Sequence, residues 1–190
     1  MTEKDVLDIF RKKNALLNGH FKLSSGLHSG KYLQCAIVLQ YPDVAEKLAK
    51  DIAKRFMGEN IDFVVGPAFG GVTLAYEVAR ALGVRGIFTE RQDGKMTRRR
   101  GFSVASGEKA LVVEDVVTTG GSTKEVIDVL ESLGAKTTGV ACVIDRSGGK
   151  AEFHVKFEAL AKIVVETFQE GDCPLCKSGI SITKPGSRGK

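Results

Sequence analysis

The chain has 190 residues, 43% of them hydrophobic and 27% charged, with a net charge of +5. That is enough for one compact α/β domain with a small appendage and too little for two full domains; the composition is that of a soluble globular protein, with no disorder expected outside the ends. The modest basic excess is gathered in Arg91, Lys95, Arg98, Arg99 and Arg100 and in the tail, without interleaved aromatic residues. It therefore suits small polyanions better than nucleic acid.

In chain order, Asp5 to Leu17 carries Val6, Leu7, Ile9, Phe10, Leu16 and Leu17 at helical spacing, which predicts an amphipathic helix covering a sheet edge. Gly19 to Cys35 alternates and is broken by glycines, the pattern of a hairpin that would form a hood. A helix is predicted over Pro42 to Phe56, a buried strand over Ile61 to Val65, and a tight loop from Gly66 to Gly71 that leads into a helix ending at Leu82. Val84 to Thr89 reads as a strand, Arg91 to Gly101 as a long polar loop, Ala110 to Val113 as a strand, Ser122 to Leu133 as a helix and Thr137 to Ile144 as a strand. Phe157 to Val165 reads as a last strand after a short helix. Strands alternating with helices predict a central parallel sheet flanked by helices on both faces, with ligands at the strands' carboxyl ends. The expected organisation is one domain over 1–190, with the helix and hood in 1–40, the core in 41–165 and the tail in 166–190.

The chemistry concentrates in Glu114-Asp115-Val116-Val117-Thr118-Thr119-Gly120-Gly121-Ser122. Two carboxylates at a strand's end can accept hydrogen bonds from vicinal sugar hydroxyls. The small residues that follow offer unobstructed N–H groups at a helix start, where a phosphate is well held. Two adjacent acids gain nothing structurally from their mutual repulsion, so a binding role accounts for them better than an ordinary turn. The second glycine-rich loop, with Ala68, Phe69, Gly70 and Gly71, can bring backbone amides close to another anion.

These motifs resemble those of the type I phosphoribosyltransferases, whose acidic strand end and Thr-Thr-Gly-Gly-Ser loop bind phosphoribosyl diphosphate (PRPP). The resemblance covers nearly the whole chain and implies that family's fold, with a small N-terminal hood. It implies PRPP binding by Glu114 to Ser122, with Arg91 and Lys95 contributing from a flap, and pyrophosphate binding by Ala68, Phe69, Gly70 and Gly71. It assigns catalytic parts to Lys95 and Asp115. The hood run Gly19-His20-Phe21-Lys22-Leu23-Ser24-Ser25-Gly26 is similar to that of the orotate-using members, and Ile144-Asp145-Arg146 matches the strand end from which an Arg binds their pyrimidine. Thr118 stands where purine-using relatives have an acid, so Thr118 and Arg146 are the expected orotate contacts. The implied reaction gives orotidine 5′-monophosphate and pyrophosphate in UMP biosynthesis. It implies Mg2+ as cofactor and a homodimer, with no metal bound directly by protein residues and no nucleic-acid or membrane partner. Two rivals are transfer to a purine or another base, and a non-catalytic PRPP sensor.

This chain departs from the pattern in two places. Ser24 stands where many bacterial orotate enzymes have a Lys, and the flap Gly94-Lys95-Met96-Thr97-Arg98-Arg99-Arg100-Gly101 lacks their His. Lys95 therefore becomes the expected charge stabiliser, helped by Arg91, Arg98, Arg99 and Arg100. Of the four cysteines, Cys35 and Cys142 sit in apolar runs and are expected in the core. Cys173-Pro174-Leu175-Cys176 is half of a zinc site by spacing, and a metal-free tail turn is the expectation. His20, His28 and His154 show no ligand pairing in sequence and are assigned to the surface or the fold. The N-terminal residues lack a charged-then-apolar signal pattern and no long apolar run occurs, so a cytoplasmic location is expected.

Overall fold

The computed structural model describes residues 1–23 and 25–185. Among them, two sheets form. The larger is built from β3 (Phe63–Pro67), β4 (Arg85–Gln92), β5 (Lys95–Arg98), β6 (Lys109–Val117), β7 (Lys136–Asp145) and β8 (Lys156–Lys162), in the order β5-β4-β3-β6-β7-β8. All neighbours are parallel except β4 and β5. The smaller pairs β1 (Leu16–Lys22) with β2 (His28–Leu33) and β2 with β9 (Thr167–Phe168), all antiparallel.

Alternation along the central strands explains why both faces must be covered. On one face, Val64, Leu111, Val113, Ala141 and Val143 join a core with Leu48 and Ile52 of α3 (Pro42–Arg55) and Leu74 and Val78 of α4 (Gly70–Leu82). Val6 and Phe10 of α1 (Glu3–Lys12) complete it. On the other face, Phe63, Val65, Val112 and Val140 pack with Val126, Ile127 and Leu130 of α5 (Gly121–Ser132). Burying a side chain of this size contributes about 1.5–3 kcal/mol, so the two layers together hold the sheet between them.

Several expectations need correction. The first helix stops at Lys12, because Asn14 turns to a φ of 53° and Leu16 and Leu17 open β1 instead. The segment Arg91 to Gly101 is not a long loop: Arg91 and Gln92 end β4, and β5 returns through a turn at Asp93 and Gly94, both at positive φ. That Asp-Gly pair is a hairpin signal. No helix lies between β7 and β8 among the described residues, and a short helix α2 (Cys35–Leu39) leads into α3. The tail continues past β9 through a 3-10 turn, Glu170–Asp172, to α6 (Pro174–Lys177), and Thr183 bridges back to Phe21. No helix among the described residues is long and apolar enough to cross a membrane.

Candidate active site

The strand order reverses between β3 and β6. The connection through α4 carries the chain from β3 outward to β4, whereas α5 carries it from β6 the opposite way to β7. The carboxyl ends of β3 and β6 therefore splay apart into a crevice, the place where open α/β sheets bind ligands. Both sequence motifs lie on its rim. Ala68 and Phe69 follow β3, with Phe69 fully out in solvent, and Gly70 and Gly71 begin α4. Glu114 and Asp115 lie in the carboxyl-terminal half of β6, and Thr118 and Thr119 are exposed where β6 gives way to α5.

The two motifs touch. A Cβ placed on Gly70 would lie 2.6 Å from both carboxylate oxygens of Asp115, so only glycine lets the β3 loop pass the acid. Asp115 Oδ1 accepts a hydrogen bond from the Val116 N–H at 2.9 Å. Burial pushes its carboxyl above the ordinary value, against the hydrogen bonds from Glu114 and Val116 that lower it. Glu114 itself is buried. Helix α5 starts from Gly120 in the left-handed conformation (φ 76°), and its first turn, Gly121 to Lys124, contains no acid. Its N–H groups and helix dipole thus favour an anion beside Thr118 to Ser122.

Beyond β6, a cleft of about 570 Å³ joins Thr118 and Thr119 to Arg146, Ser147, Gly148 and Lys150 after β7. Hood residues Leu23, Ser25 and Leu27 line it from above, and Val164, Val165 and Thr167 from the tail side. Ser24 lies outside the described residues. Arg146 is half-buried, and that burial pulls its guanidinium below the ordinary value, while Tyr32 and Cys35 act in the other direction. Tyr32 of β2 feels the same site: burial raises its phenol most, Arg146 opposes this, and Asp115 adds to it. Cys35 is buried with its thiol 3.7 Å from the Asp115 carbonyl, a weak donor contact, and burial drives its pKa well upward. Cys142 is buried on β7, between β6 and β8. Both are core residues.

The structure thus brings together Glu114 to Ser122, the Ala68 to Gly71 loop, Thr118 and Arg146. It does not bring Arg91 and Lys95 into that cleft. Arg91 pairs with Glu125 at 2.8 Å and donates to the Gly94 carbonyl at 2.8 Å. Lys95 borders a separate hollow of about 380 Å³ against Glu125, Asp128, Val129 and Ser132 of α5. Arg98 donates to the Phe102 carbonyl, and Arg99 and Arg100 pair with Glu90 at 3.9 and 2.8 Å. Tyr32, Ser147 and Lys150 were missed as site residues. Of these, Lys150 carries a signal in the sequence, a cation closing a Ser-Gly-Gly turn just after the Arg146 strand. Tyr32 carries none, because its place depends on how the hood folds over.

Residues 37–171 match the family described as the phosphoribosyl transferase domain, which sets the class. The chain is 53% identical over 188 residues to the orotate phosphoribosyltransferase of Caldanaerobacter subterraneus subsp. tengcongensis, covering 99% of both. It is also 53% identical over 188 residues to the orotate phosphoribosyltransferase of Desulforamulus reducens, covering 99% of this chain and 98% of the relative. Among solved structures, the orotate phosphoribosyltransferase of Aeropyrum pernix superposes with a TM-score of 0.68 at 25% identity, over 83% of this chain and 93% of that one. The chain belongs to the orotate phosphoribosyltransferase family.

Proposed function

We propose that this protein transfers ribose 5-phosphate from PRPP to orotate, giving orotidine 5′-monophosphate and pyrophosphate in UMP biosynthesis. The observation that carries the assignment is the single cleft in which Thr118 and Thr119, at the foot of the phosphate loop, face Arg146 under the hood. Glu114 and Asp115 hold the ribose hydroxyls, and Val116 to Ser122 the 5-phosphate. The Ala68, Phe69, Gly70 and Gly71 amides take the pyrophosphate. Thr118 and Arg146 take orotate, whose carboxylate and carbonyl oxygens suit the planar fork of a guanidinium.

Little covalent help is required. As the bond from C1 to the pyrophosphate oxygen breaks, the sugar acquires oxocarbenium character and N1 of orotate attacks the opposite face. The protein aligns the two and places charge where it develops. Asp115 and Glu114 set a negative field beside the cationic sugar. Their oxygens are the hard donors that Mg2+ prefers, so the rim fits a Mg2+ carried largely by PRPP oxygens and water. When bound, that ion would neutralise charge on the departing pyrophosphate. Arg91 and Lys95 supply cations from the β4–β5 hairpin. Neither lines the cleft of its own chain, so we read the hairpin as acting on a neighbouring copy, which supports the homodimer reading. A cytoplasmic location fits these substrates.

The test is to mix the purified protein with PRPP, Mg2+ and orotate, follow loss of orotate absorbance, and run uracil, hypoxanthine and xanthine alongside. Loss with orotate alone is expected. Turnover of a purine instead would overturn the substrate, and PRPP binding without turnover of any base would favour a sensor.

A further inference from the structure

Four side chains that the reaction does not use meet on the far side of the hood. His20 on β1 and His28 at the start of β2 come from the hairpin, whereas Cys173 and Cys176 come from the tail around α6, some 150 residues later. One ligand atom from each lies within 4.8 Å of all the others. His20 Nε2 is 3.0 Å from His28 Nδ1, 3.6 Å from Cys173 Sγ and 3.7 Å from Cys176 Sγ, and Cys176 Sγ is 3.2 Å from His28 Nδ1. A tetrahedral zinc with Zn–S of about 2.3 Å and Zn–N of about 2.05 Å sets its nitrogens about 3.3 Å apart and each nitrogen about 3.6 Å from each sulfur. The observed separations straddle those values.

The surroundings support the same assignment. His20, His28 and Cys173 are buried and Cys176 is at the edge, so the cluster is closed on the protein side, as structural zinc sites are. His20 Nδ1 donates to the Ile180 carbonyl oxygen at 2.7 Å, which fixes the tautomer and turns the Nε2 lone pair toward the two sulfurs. Without a cation, these atoms offer one good hydrogen bond, between the two imidazoles, and leave two weakly donating thiols packed against them. Two thiolates would neutralise a divalent ion, so the filled centre carries no net charge into the interior.

We propose that His20, His28, Cys173 and Cys176 bind one structural zinc ion that ties the tail to the hood. The clasp lies beside the cleft without entering it. Leu23 and Leu27, between the two histidines, and Thr167, ahead of the two cysteines, line the cleft that the clasp would keep in shape. This assignment is independent of which base the enzyme uses, because its readout is metal content.

The experiment measures metal in full-length protein purified in reductant, without chelator, and reconstituted with zinc. Parent protein should hold about one zinc per chain, and cobalt in its place should give the intense visible absorption of a tetrahedral thiolate site. Cys176→Ser changes an exposed side chain and should still fold, yet lose most of the zinc; Cys173→Ser with Cys176→Ser should lose all of it and melt lower. Zinc-free parent protein after reconstitution would overturn the proposal. So would zinc content unchanged in the double variant, or a Cys173–Cys176 disulfide as the only state found.

Discussion

Replacing Gly70 with Ala tests the contact between the two motifs most directly. The new methyl group would sit 2.6 Å from Asp115 Oδ1 and Oδ2 and 2.7 Å from Cγ, where ordinary contact begins at 3.4 Å, so about 0.8 Å must be found. Either the β3 loop moves away from β6 or Asp115 rotates away from its Val116 hydrogen bond. Overpacking of this kind costs about 1–3 kcal/mol of stability. The activity cost should be larger in proportion, because a displacement of about 1 Å in a positioning group can cost about 100-fold in rate. The assay is steady-state orotate consumption with PRPP varied, paired with a thermal melt. The expected result is a loss of 30- to 100-fold, by order of magnitude, in kcat/KM for PRPP with the fold retained. Gly171→Ala, where no atom lies within 4 Å of the added carbon, is the control and should leave kcat/KM unchanged. Parent-like kcat/KM in Gly70→Ala would show that the two loops need not keep this spacing, and the argument from close approach would fail.

Asp115→Asn should separate stability from activity. Burial raises the folded-state pKa of Asp115 above its unfolded value, so the folded chain holds this proton more tightly and the group's contribution to stability falls as pH rises through that window. The Asn variant should melt no lower than the parent at neutral pH, with any advantage shrinking toward acid, while kcat/KM falls about 10- to 100-fold for loss of a charge-assisted hydrogen bond to ribose; full turnover would remove Asp115 from ribose binding. Arg146→Lys keeps the charge and loses the fork, so KM for orotate should rise about tenfold or more with KM for PRPP little changed; equal effects on both would point to a structural role. Lys95→Ala should lower kcat and leave melting unchanged, since this side chain is exposed; an intact kcat would hand the flap's role to another cation.

The parts of the site read easily from the sequence are those in which one continuous segment holds all the chemistry. Glu114 to Ser122 runs from a strand through a loop to a helix, and local patterning is enough to place carboxylates and amides together. Arg146 was proposed only through the family resemblance, since a single Arg after a strand is by itself more often a surface or ion-pair residue. The flap hairpin was missed because its basic side chains outweighed the Asp93-Gly94 turn signal between β4 and β5. Leu16 and Leu17 were drawn into the first helix because apolar residues flanking a helix keep its period by chance, and Asn14 is a quieter stop than Gly or Pro. The meeting of His20 and His28 with Cys173 and Cys176 could not be read locally at all. It depends on a two-residue strand, β9, and on a tail whose course is decided only by what it packs against.

That course has a consequence for how the molecule is made. Lys22 N–H binds the Thr183 carbonyl and Thr183 N–H binds the His20 carbonyl, both at 2.8 Å, so the outer edge of the first hairpin is completed by a residue 163 positions after His20. The sheet and its helices can assemble as the chain leaves the ribosome, but the roof over the cleft cannot close until the chain has been made at least as far as Thr183. A nascent chain stalled before Thr167 would present the crevice with an unsupported cover, and the shape of the roof would be set only after the sheet beneath it is built.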